Sequence, residues 1–199
     1  MRKRPIGPLE PPKTRDWNRL TNTPVGYAFR TSDNQRVVQF RSNGFTCNWL
    51  RPYAEWSDLR DMAVRMWQIY LGAAQPDQVV RLGLRYINHL ELPVPRDDFA
   101  EYLTAQPNIP AALPQTLMSF FTRVAIQDEG IDCVAVVTQA FEGIINPKVF
   151  PLILDIDASK LVNLQPNSDE IWILLDQLRD FKNRIFFESL TEDAVRVFE

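Results

Sequence analysis

The sequence predicts an α+β domain: a two-layer sandwich in which a mostly antiparallel sheet of about seven strands carries two long amphipathic helices on one face. Three observations predict it. Residues 80–92 alternate strictly, with Val80, Leu82, Leu84, Tyr86, Leu90 and Leu92 on one strand face and Arg81, Gly83, Arg85, His89 and Glu91 on the other. Turn residues join further alternating runs at short range, as in hairpins. Two segments carry apolar stripes at spacings of three and four, the period of a helix that buries one side.

The elements follow in order. Residues 1–24 hold prolines at 5, 8, 11, 12 and 24 and few large apolar side chains, so they are expected to form an extended, basic arm ahead of a single domain over 25–199. Val25, Tyr27 and Phe29 then alternate, Ser32-Asp33-Asn34 supplies turn chemistry, and residues 35–40 return. Asn43-Gly44 favours a type I′ turn, because both of its central positions need positive φ, and residues 45–50 make a third strand. Pro52 suits a first helical position, and Trp56, Leu59, Ala63, Met66 and Tyr70 form the stripe of a helix that ends near Gly72. After the long strand, five prolines punctuate residues 93–114, which leaves room for one short helix around 97–105. From Met118 the even positions Phe120, Val124 and Ile126 are apolar, in a strand that turns at Asp128-Glu129-Gly130 and returns over 131–141. Phe150, Leu152, Leu154 and Ile156 give a last strand ending at Asp157. Asn167 and Glu170 have the spacing of a capping box, followed by the stripe Ile171, Leu174, Leu175, Leu178, Phe181 and Ile185.

Composition narrows the chemistry. At 45% apolar and 24% charged, the 199 residues are those of an ordinary globular chain. The net charge of −3 hides an asymmetry: six basic residues within 1–20 face only Glu10 and Asp16, so the remainder is distinctly acidic. An acidic body disfavours nucleic acid as a partner, since that affinity comes largely from cations neutralising phosphates. No uncharged run approaches the ~18 residues of a membrane span, and Met1-Arg2-Lys3-Arg4-Pro5 lacks the apolar stretch of a signal peptide, so the expected location is the cytoplasm, with no membrane partner. Cys47 and Cys133 stand far apart inside strands and read as buried thiols. No cofactor is implied, since the seven glycines form neither GxGxxG nor GxxxxGK[ST].

Three groups of residues are candidates for function. Arg81, Arg85 and His89 fall every four residues on the polar face of the long strand, where guanidinium forks match phosphate or carboxylate oxygens; the plainer role is a salt-bridged outer face. Asp155 and Asp157 share a face and have the chemistry to hold a magnesium ion with Glu142 or Asp132, against the plainer role of ending a strand. Trp17 in the arm and Trp67, off its helix stripe, are candidate interface anchors, with a place at the rim of the core as the alternative for Trp67. His89 is the only histidine, which disfavours histidine-dependent triads and histidine metal clusters.

The segments Pro24-Val25-Gly26-Tyr27-Ala28-Phe29, Phe45-Thr46-Cys47-Asn48-Trp49-Leu50, LGLRYIN (82–88) and FFESLTE (186–192) resemble a sporadically distributed prokaryotic family of uncharacterised function. The resemblance implies a prokaryotic or phage-associated origin and carries over no reaction or catalytic residue. Within LGLRYIN, Asn88 enters the apolar row of its strand and needs hydrogen-bond partners, for which the segment around Ser189 and Thr191 is the expected source. The expected function is a non-enzymatic protein-interaction or accessory module of a defence system, holding a protein partner or a second copy of itself. The alternatives are a sensor of an anionic ligand or nucleic acid through Arg81 and Arg85, and a carboxylate-dependent metal enzyme at Asp155 and Asp157.

Overall fold

The computed structural model describes residues 25–51, 55–95, 99–143 and 149–198, together with the backbone of residues 2–6. Trp17, most of the proline-rich arm, Pro52 and the loop at Asn146-Pro147 lie outside the described residues. The fold is mixed, with antiparallel sheets and two long helices as expected, and all seven strands read from residue 25 onward are present. They do not form one sheet. The chain divides into two compact units, residues 1–77 and 78–199, each with a four-stranded sheet.

In the first unit, β1 (Arg2–Ile6), β2 (Gly26–Arg30), β3 (Arg36–Arg41) and β4 (Gly44–Trp49) lie in sequence order, each antiparallel to the next. Close approach makes Gly26 necessary, because a Cβ there would run into the carbonyl of Phe40 on the neighbouring strand. Helix α1 (Trp56–Ala74) packs on β3 and β4. Its Tyr70 is buried and donates a hydrogen bond to the Arg41 carbonyl at 3.0 Å. Around Tyr70 the rings of Phe40, Phe45 and Trp67 lie with centroids 5.2–5.7 Å away, in the offset and edge-on arrangements that aromatic rings prefer.

The second unit has strand order β5-β8-β7-β6, antiparallel throughout, built from β5 (Val79–Pro93), β6 (Phe120–Asp128), β7 (Cys133–Phe141) and β8 (Val149–Leu164). The long alternating strand is β5, an edge strand paired along its length with β8. Val80 does not share its oily face: the register shifts between Val79 and Arg81, so Val79 is buried and Val80 exposed. Two steps of β5 there face three of β8, so the bulge lies in β8 opposite Val80 and breaks the pattern of the ladder, which a strictly period-two reading of β5 cannot reveal. Likewise β8 continues seven residues past the expected end at Asp157, reaching Leu164, because β5 pairs with it that far.

Helix α2 (Glu170–Ser189) lays Ile171, Leu174, Leu178, Phe181 and Ile185 on β5 and β8, over Leu82, Leu84, Leu152, Leu154 and Ile156. The capping box is not formed; instead the Ser168 hydroxyl accepts from the Glu170 N–H. Between β5 and β6 the chain crosses from one edge of the sheet to the other, and where a short helix was expected its described residues form a 3₁₀ turn at Phe99–Glu101. Phe99 anchors this crossing by stacking on Phe150 at 4.9 Å and meeting Phe141 edge-on at 5.4 Å.

The FFESLTE ending serves the same crossing. Leu190 bridges Leu103, the Thr191 N–H donates to Tyr102 and its hydroxyl to Glu101, and Thr104 donates to Ser189 and Glu188. Thr191 also caps α3 (Glu192–Arg196) by accepting from Ala194. Asn88 does not reach this segment. Its amide donates to the Leu154 carbonyl on β8 at 2.9 Å, because the two residues are direct cross-strand partners and the carbonyl is the nearest acceptor.

Candidate functional site

The two charged groups singled out in the sequence meet each other on the outer face of the second sheet. Arg85 forks onto Asp155 with contacts of 2.9 and 2.5 Å, and Arg81 lies 3.7 Å from Asp157. Strand register explains the meeting: β5 and β8 pair so that Arg85 stands opposite Asp157 and next to Asp155. The bond to Asp155 pushes the Arg85 guanidinium further above its ordinary range. An anion at Arg85 therefore competes with Asp155, and a metal ion at Asp155 competes with Arg85. His89 is exposed on the same face, opposite Ile153. Among the described residues no three His, Cys, Asp or Glu side chains are grouped as metal ligands.

The remaining predicted residues stand elsewhere. Trp67 is half-buried in the first unit, stacked on Tyr70 and edge-on to Phe45. Burial pushes the Cys47 thiol up to about 11 and raises that of Cys133, so neither supplies a thiolate at neutral pH.

What the sequence did not reveal lies on the inner face of the second sheet. Helix α2 covers β5 and β8, and beside it β6 and β7 line a groove of about 740 Å³. Its floor is Thr122, Val124 and Ile126 from β6 with Val137 and Gln139 from β7, and its wall is Phe181, Arg184, Ile185 and Glu188 of α2. Thr104 and Gln106 border the end near the chain terminus, while an ion pair from Arg184 to Asp128 ties the helix to β6 at the far end. That contact holds the Asp128 carboxyl below its usual range.

Two features separate this groove from an ordinary surface. Val124 and Ile126, apolar residues on the inner face of the sheet, are 53% and 39% exposed. Gln139 is only 8% exposed and lines the groove, yet its side-chain amide has no hydrogen-bond partner among the described residues. The amide opens into the groove, so it offers an incoming polar group a donor and an acceptor on an otherwise apolar floor. The one sequence signal was the glutamine itself, a polar residue in the apolar row Cys133, Ala135, Val137, Phe141. No family model, no curated protein and no solved structure matches this chain.

Proposed function

We propose that the chain is a non-enzymatic interaction module that holds a protein partner in the groove between α2 and the β6–β7 hairpin. The observation that carries this reading is the pair Val124 and Ile126, large apolar side chains on the inner face of a sheet, exposed beside a helix that packs mainly on the other two strands. Contiguous exposed apolar surface bordered by polar groups is the usual mark of a docking site. On the opposite face Arg85 is already hydrogen-bonded to Asp155 and Arg81 stands near Asp157, which makes that face the weaker candidate. An accessory or defence role rests on the resemblance of LGLRYIN and FFESLTE to a prokaryotic family.

The test is quantitative capture from the native host, comparing the parent with a Val124→Asp, Ile126→Asp variant and with Ile173→Asp, a change at an exposed position of α2 outside the groove. Partners retained by the parent and by Ile173→Asp but lost by the groove variant support the reading. Equal retention by all three refutes it. Light scattering of the same proteins distinguishes a foreign partner from a second copy of the chain.

A further inference from the structure

We infer that the occupant of this groove is an amphipathic helix with a basic flank, lying beside α2 and completing the helical layer of the second unit. The inference rests on the docking reading above and adds the partner's chemistry.

Width argues for a helix. Strands lie about 4.8 Å apart and a helix with its side chains is about 10 Å across, so one helix covers about two strands. Helix α2 takes β5 and β8, and β7 and β6 leave room for one more. Length sets its extent: from Thr122 to Ile126, short of the Arg184–Asp128 bridge, the strand rises about 13 Å, which matches about nine residues of helix.

The lining argues for its sequence. Val124, Ile126, Val137, Phe181 and Ile185 call for an apolar stripe with a spacing of three and four. The unpartnered Gln139 amide in the floor calls for one polar side chain within that stripe, such as asparagine, glutamine or serine. Arg184 and Asp128 neutralise each other, and Glu129 and Glu188 remain on the border with no ion pair among the described residues. The border is therefore negative, and lysine or arginine beside the stripe complements it.

The experiment titrates the full chain with synthetic 14-residue peptides by fluorescence anisotropy. Two peptides share a leucine stripe with one central asparagine and differ in carrying lysine or glutamate beside it; a third is the lysine peptide with a central proline. Expected are saturable binding of the lysine peptide alone, a loss of about tenfold or more with Val124→Asp, and a several-fold loss with Glu188→Gln, a surface change whose folding is checked by melting. Equal or tighter binding of the glutamate peptide overturns the charge assignment, and equal binding of the proline peptide overturns the helix. Binding that ignores Val124→Asp overturns both. If no peptide binds while groove-dependent capture persists, the helix is wrong and the docking reading stands; if capture also ignores the groove, both fail.

Discussion

Lys182 sits in the buried stripe of α2, with its ammonium 3.9 Å from the centre of the Tyr86 ring. Its long stem lets it occupy an apolar position while the ring faces its charge. Burial, together with the charge of Arg179, pulls its pKa from 10.5 down to about 8. The sign follows from linkage. As pH falls from 10.5 to about 8, the unfolded chain takes up the proton and the folded chain resists it, so this stabilisation is full above the window and lost through it. Melting temperatures of the parent and Lys182→Met, measured across that range, should therefore diverge as pH falls; a constant difference would contradict the assignment. Arg85 and Asp155 offer a second test at this scale. Their bidentate contact, with Asp155 largely shielded by the sheet, should give a coupling of about 1 kcal/mol in a double-mutant cycle by urea denaturation, smaller at high salt. A coupling near zero would show that the two side chains are held independently.

At the scale of elements, what was legible depended on whether the signal was local. The β5 alternation from Arg81 onward, both long helices and the second hairpin are set by neighbouring residues, and the structure places them as read. Three features escaped because a partner distant in sequence decides them. The bulge opposite Val80 and the extension of β8 to Leu164 come from the pairing of β5 with β8, and Asn88 is satisfied across that same ladder. The FFESLTE segment looked specific without a visible reason; its reason is the crossing at residues 101–104, which it fastens through Leu190 and Thr191. Thr191 donates to Glu101 and caps α3, two roles for one hydroxyl. Replacing it with alanine should cost about 1–2 kcal/mol in chemical denaturation, while Thr191→Ser recovers most of the loss. Equal destabilisation by both would assign the effect to the methyl group instead.

For the molecule as a whole, the sequence announced seven strands and two helices but not their division into two sheets. Turn signals specify which consecutive strands pair; the helix between β4 and β5 does not say whether the next strand joins the old sheet or begins another. The groove was hidden for a related reason. Val124 and Ile126 alternate as the apolar residues of any strand do, and the position of α2 over β5 and β8 leaves them open. A photo-cross-linking residue placed at 124 in one variant and at 161, where Leu161 is exposed on the outer face, in another gives the most direct test when both are expressed in the native host. Docking in the groove predicts a discrete adduct from position 124 and none from 161; adducts from 161 alone would place the partner on the opposite side of the sheet and contradict the account.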